Sequence, residues 1–143
     1  MRNLFLLFCT VFIMACGDDS TSPAPTPSLT GSYTMTLDLA GTLTDNGATV
    51  AARCAGTVPT KLTDTKGTIT GTMGAGAVVC TIDGWDYDVD WSSAVTGTRS
   101  GTSVTLDDGL CEYKGDMDNG TARCVANDGT TALSLTGTWT LTP

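Results

Sequence analysis

The chain has no histidine, only one glutamate and few aromatic residues. The lack of histidine excludes the Ser–His and Cys–His pairs that activate many enzymatic nucleophiles. The cysteines show no CxxC spacing, so a structural zinc site is not expected. No other catalytic motif is present. We therefore predict a protein that is not an enzyme and that carries no cofactor and no bound metal.

Long apolar runs and helical patterns are also scarce. The one long apolar run, residues 4–14, is too short to span a membrane, which takes about 20 residues. Arg2 precedes this run, and Ala15 and Cys16 follow it. A positive start, an apolar stretch and a small residue before a cleavage site are typical of a secretory signal peptide.

The last four residues of this segment, Ile-Met-Ala-Cys at 13–16, resemble the lipobox of bacterial lipoproteins. The resemblance implies that residues 1–15 form a signal peptide that is removed. It also implies that Cys16 becomes the lipidated N-terminus and tethers the protein to a membrane. Gly17 follows the cysteine where an aspartate, by analogy with enteric bacteria, would favour the inner membrane. We therefore expect a protein of the bacterial cell envelope, with the outer membrane favoured.

Removal of the signal peptide leaves a strongly acidic chain. Without Arg2, six basic residues remain against 15 acidic ones, which is a formal charge of −9. Such a surface repels nucleic acid and anionic lipid headgroups, so neither is expected as a partner. The charge favours cationic partners or ions, or serves solubility alone.

Residues 16–28 are predicted to be a disordered linker. They contain no large apolar residue, and prolines occur at positions 23, 25 and 27. Alternate prolines stiffen a chain towards the extended polyproline II conformation. At about 3 Å per residue, this linker would hold the following domain roughly 30–35 Å from the membrane.

The domain over residues 29–143 is predicted to be all-β. Its first and last segments, 29–39 and 133–142, alternate apolar with polar residues, which is typical of strands with one buried face. Threonine is abundant and suits an exposed strand face. Turn signals such as Asp118-Asn119-Gly120 separate the runs between these segments. We place the intervening strands near residues 50–62, 67–73, 77–83, 85–91, 93–99, 102–107, 110–115 and 120–126.

The two terminal strands share a phrase that suggests how the sheet closes. Gly31-Ser-Tyr33 and Gly137-Thr-Trp139 are similar to the Gly-x-Trp that lipocalin and avidin-like barrels carry on a terminal strand. Pairing of the first strand with the last would remove exposed edges. The resemblance implies an antiparallel up-and-down β-barrel, lipocalin-like, with eight to ten short strands and room for a small ligand.

Four cysteines remain after export and lipidation: Cys54, Cys80, Cys111 and Cys124. In an exported protein an even number predicts two disulfide bonds, with three possible connectivities. A hairpin centred on residues 117–118 would place Cys111 opposite Cys124. The same register places Tyr113 opposite Ala122 and Glu112 opposite Arg123, a packing pair and an ion pair. We therefore predict the bond Cys111–Cys124.

The second bond, Cys54–Cys80, follows by elimination. If the strand at 67–73 lay between its two cysteines, two strand spacings would exceed the Cα separation of about 7 Å that a disulfide allows. The bond would then need a strand end or a loop at one partner.

The segment 84–91 is the most unusual stretch of the domain. In an extended conformation Trp85, Tyr87 and Trp91 share one face, while the aspartates at 86, 88 and 90 share the other. The aromatic residues are candidates for contact with an apolar or sugar ligand. The aspartates are candidates for calcium, although the EF-hand pattern is absent. Alternatively, the segment is an amphipathic edge strand or a loop, with solvated acids and aromatic residues in the core.

Three functions are compatible with these features. The first is an envelope lipoprotein that binds a small apolar ligand inside its barrel. The second is a module that binds another envelope protein, such as an inhibitor of a basic enzyme. The third is a passive surface coat protein. An open interior would favour the first function, and a filled core with an exposed aromatic or acidic patch would favour the second.

Overall fold

A computed structural model describes residues 27–143, so the predicted signal peptide at 1–15, Cys16 and most of the linker lie outside the described residues. All regular structure in 27–143 is β-strand, which confirms the all-β prediction, and no helix in this range is long and apolar enough to cross a membrane. The strands are β1 (Gly31–Asp45), β2 (Ala48–Thr65), β3 (Thr68–Met73), β4 (Ala77–Ile82), β5 (Trp85–Val89), β6 (Ser93–Ser100), β7 (Ser103–Asp107), β8 (Cys111–Gly115), β9 (Asn119–Asn127) and β10 (Thr131–Thr142).

The ten strands form one antiparallel sheet that closes into a ring. Closure occurs because β1 pairs with β2 along one edge and with β10 along the other. The expected pairing of the first and last strands is therefore confirmed. The circuit runs β1-β10-β9-β8-β7-β6-β3-β2 and returns to β1. Each strand of the circuit has partners on both edges, so few backbone groups are left for pairing with other chains.

The strand order departs from a simple meander at β2. This strand has 18 residues, whereas β3 has only six, so β3 covers only part of its edge. Residues 60–65 of β2 pair with β3, and residues 52–57 pair with β4. The β4–β5 hairpin therefore continues the edge of β2 beyond β3, and β3 pairs with β6 on its other side.

Pro59 lies where the two partners of β2 meet. Its carbonyl accepts a hydrogen bond of 2.7 Å from the Gly74 N–H, just beyond the end of β3. Proline has no N–H, and a strand interior rarely tolerates that loss. Here the missing donor falls in the gap between β3 and β4, where no strand partner needs it.

The interior of the ring is packed rather than hollow. Alternate residues of β1, including Met35, Leu37 and Leu39, are completely or almost completely buried. Trp139 of β10 meets Tyr113 of β8 edge to face, with ring centroids 6.5 Å apart. The Trp139 Nε1–H donates to the carbonyl of residue 121 at 3.1 Å, so its polar atom is satisfied within the core.

The β8–β9 hairpin has the predicted register, and its two cysteines are opposite each other and bonded. Tyr113 lies opposite Ala122, and both are buried. The predicted ion pair between Glu112 and Arg123 is wrong. Glu112 instead pairs with Lys114, two residues along the same face of the strand, at 2.7 Å.

The bond Cys54–Cys80 joins β2 to β4. The two residues are direct cross-strand partners with Cα atoms 4.0 Å apart. A strand end or loop at one partner, expected only if β3 lay between the cysteines, is not needed, because β3 pairs with a different part of β2.

Removal of this bond is expected to loosen the β4–β5 hairpin. The double change Cys54→Ala, Cys80→Ala should lower the free energy of unfolding by about 3 kcal/mol, since the bond constrains the unfolded chain. The measurement is the urea midpoint together with amide exchange. The matched double change Cys111→Ala, Cys124→Ala should cost a similar amount. Only the first pair should selectively increase exchange at β5, and unchanged exchange there would contradict this role.

Candidate ligand-binding site

An apolar cavity of about 480 Å³ opens at one end of the ring. Its walls come from elements that meet at that end: the last part of β1, the first parts of β2, β6 and β10, the β4–β5 hairpin, and the turn after β7. Small-molecule sites commonly have volumes of about 300–1,000 Å³. Most of the wall is aliphatic, from Leu43, Ala52, Ile82, Val89, Leu110 and Leu133, beside the disulfide Cys54–Cys80.

The cavity lies where the β4–β5 hairpin pairs along β2 and does not pair with the other strands of the circuit. In the described part of the chain, β5 pairs only with β4, so its outer edge has no strand partner. Residues 90–92 then carry the chain back to β6. Residues of β5 and of the β7–β8 turn both line the cavity.

The three aromatic residues predicted as contacts have different environments. Tyr87 lines the cavity and is 52% exposed, whereas Trp91 lines it while only 7% exposed. Trp85 is 72% exposed and does not line the cavity. It pairs with Ile82 beside the hairpin turn, where no second layer covers it. The structure therefore brings Tyr87 and Trp91 together and leaves Trp85 outside.

Asp108 lines the cavity and accepts hydrogen bonds from four donors around it. The sequence analysis did not identify this residue. One carboxylate oxygen accepts bonds from Trp91 Nε1 at 3.2 Å and from the Tyr113 hydroxyl at 2.8 Å. The other accepts the backbone N–H groups of Leu110 at 2.9 Å and Cys111 at 2.6 Å. The only available signal was Asp107-Asp108-Gly109, which predicts a turn.

The Tyr113 hydroxyl acts as a fixed donor in this network. Burial and then the negative charge of Asp108 raise the pKa of Tyr113 above its usual value. The phenol therefore keeps its proton at neutral pH and holds Asp108 in place. The orientation of Trp91 is set in turn by its bond to the same carboxylate.

Ser93 supplies an unsatisfied polar atom at the cavity. Its Oγ is buried and has no hydrogen-bond partner within the described residues. Buried hydroxyls normally have partners, because an unpaired one keeps its full desolvation cost. Because the atom itself is buried, it does not present a hydrogen-bonding group to the cavity.

The charged groups around the cavity are all negative. Among residues 27–143, Asp90 and Asp108 contribute to the wall, and no lysine or arginine does. Asp86 and Asp88 lie on β5 and are exposed, and Asp86 accepts a bond of 2.6 Å from the Thr81 hydroxyl. Among residues 27–143, no three acidic or cysteine side chains form a cluster that could hold a metal ion.

Comparison with protein families, with curated proteins and with solved structures gives no match for this chain.

Proposed function

We propose that this protein is a non-enzymatic lipoprotein of the bacterial cell envelope that binds a small apolar ligand. The observation that carries the proposal is the apolar cavity of about 480 Å³ at the end of the ring. Its wall combines aliphatic side chains with two aromatic ones and a few polar atoms, the usual composition of a small-molecule site.

We further propose that the ring is a lipocalin-like β-barrel whose ligand occupies one end rather than the centre. Closed antiparallel pairing and the Gly-x-aromatic triplets of the terminal strands support this interpretation. The centre is filled by core side chains such as Met35 and Trp139, as is common in small barrels.

A second candidate function, a module that binds a basic envelope protein, is favoured by the filled centre of the ring together with an exposed aromatic and acidic patch. Trp85 and Tyr87 are exposed beside the exposed Asp86 and Asp88 on β5, whose outer edge has no strand partner among residues 27–143. Such a surface suits a basic protein partner, since aromatic residues are enriched at contact surfaces. No feature of the described residues specifically favours a passive coat protein.

Ligand binding can be tested with a neutral fluorescent apolar dye such as N-phenyl-1-naphthylamine. Leu110→Asp should weaken binding at least tenfold, because it places a charge in the apolar wall. The matched control is Val125→Asp, since Val125 is also an exposed apolar residue but does not line the cavity. The control should stay within twofold of the parent. Equal dye binding by both variants, or no dye binding by the parent, would contradict the proposal.

The membrane anchor needs a separate test. Cys16→Ser removes the thiol that the lipobox resemblance assigns to lipidation. We expect the variant to leave the membrane fraction or to accumulate uncleaved. Cell fractionation and mass measurement of the N-terminus check this outcome. Normal cleavage with unchanged membrane partitioning would contradict lipidation at Cys16.

A further inference from the structure

The wall of the cavity combines apolar surface with charge of one sign. Asp90 is exposed at the wall and makes no side-chain hydrogen bond or ion pair within residues 27–143. Asp108 accepts four hydrogen bonds, and none of the four donors is a cationic side chain. An anionic ligand would therefore enter a site with two carboxylates and no basic residue.

The same wall contains two aromatic residues, Tyr87 and Trp91, which suit a cation. Aromatic rings attract positive charge through their quadrupoles. The chain as a whole is acidic, which raises the local concentration of cations at its clefts.

We propose that the cavity selects an amphiphile with an apolar body and an ammonium head, and discriminates against the same body with a carboxylate. The apolar body would lie against the aliphatic wall and the Cys54–Cys80 disulfide, and the head would lie at the mouth near Asp90. This inference rests on the proposed function, since it specifies the ligand class of the same cavity.

The test is a matched series of decylamine, decanol and decanoate, each used below its aggregation concentration at pH 7. The three molecules each have ten carbons and carry a cationic ammonium, a neutral hydroxyl or an anionic carboxylate as the head. Each competes with the neutral dye for the protein. We expect decylamine to bind at least tenfold more tightly than decanoate, with decanol between them.

Two substitutions identify the source of the preference. Asp90→Asn should reduce the preference for decylamine over decanoate at least threefold, and Asp90→Lys should reverse it. Asp88→Asn is the matched control. Asp88 is an exposed aspartate like Asp90, but it lies on β5 and does not line the cavity. This variant should leave the ratio unchanged. Added salt should weaken the preference at the exposed Asp90.

The outcomes separate this inference from the function on which it rests. If the parent protein binds no dye, the proposed function fails. If the dye binds and decanoate competes as well as decylamine, the cavity binds apolar ligands but the charge preference is overturned. If Asp88→Asn changes the ratio as much as Asp90→Asn, the preference belongs to the general acidic surface and the assignment to the cavity is wrong.

Discussion

Replacement of Trp91 by alanine is expected to lower the free energy of unfolding by about 3–5 kcal/mol. The side chain is only 7% exposed and belongs to the hydrophobic core. Its loss would leave a cavity and remove one donor from Asp108. Trp85→Ala should cost less than about 1 kcal/mol, because Trp85 is exposed at the hairpin tip.

The urea midpoints of these two variants measure the difference. Trp91→Phe is a useful third variant, because it keeps an aromatic ring and loses the N–H donor. Its urea midpoint should lie between those of the parent and Trp91→Ala. Similar midpoints for Trp85→Ala and Trp91→Ala would contradict the assignment of Trp91 to the core.

Replacement of Arg99 by methionine should destabilise the protein by a similar amount, about 3–5 kcal/mol. Arg99 Nε lies 2.5 Å from an oxygen of Asp64, and the two side chains are only 6% and 1% exposed. Asp64 also accepts the backbone N–H groups of Leu29 at 3.2 Å and Gly67 at 2.9 Å. The pair thereby connects the start of the domain to β2 and β6. Without Arg99, a nearly buried carboxylate has no counter-ion.

The exposed ion pair of Arg53 with Asp38 provides the control. Arg53→Met should cost less than about 1 kcal/mol, because solvent screens an exposed pair. The double change Asp64→Asn, Arg99→Met should cost less than Arg99→Met alone, since it removes the uncompensated charge as well. Equal destabilisation by Arg99→Met and Arg53→Met would contradict the importance of burial.

The buried ion pair of Arg99 with Asp64 also predicts how the free energy of unfolding depends on pH. The hydrogen bond from Arg99 is the main cause that holds the pKa of Asp64 below its usual 3.8. A lowered carboxyl pKa stabilises the folded state at pH values above the unfolded pKa. That contribution is lost as the pH falls below 3.8 through the folded pKa. The free energy of unfolding, measured from denaturation curves between pH 7 and pH 2, should therefore fall less in Arg99→Met than in the parent.

The parts of the fold that could be predicted are those in which several local signals agree. In the β8–β9 hairpin, one register satisfies the cysteine pair, a large–small packing pair and two facing glycines. The terminal strands likewise alternate without interruption and pair with each other. Both predictions depend on side-chain patterns that only one alignment of the strands can satisfy.

The branching of β2 could not be predicted in this way. Residues 67–73 and 77–83 both have the pattern of short strands, and alternation does not say which part of a long edge each will occupy. The exposure of Trp85 could not be predicted from the sequence for a related reason. Alternation predicts which residues share a face, but only the tertiary structure decides whether another layer covers that face. The environment of Asp108 depends on donors from two separate parts of the chain, Trp91 and residues 110–113.

The pairing of Met73 with Ser93 shows that residues 74–92 form an insertion in the circuit, which packs along β2 through β4. The chain leaves the circuit at one position and returns directly opposite it, so a short turn could join β3 to β6 as an ordinary hairpin. The remaining eight strands would then follow one another in sequence order. Much of the cavity wall, including Tyr87 and Asp90, lies in the inserted segment. Under the proposed function, substitutions there would change which ligand is bound, in evolution or in a designed library, while the pairing of the eight-stranded scaffold stays intact.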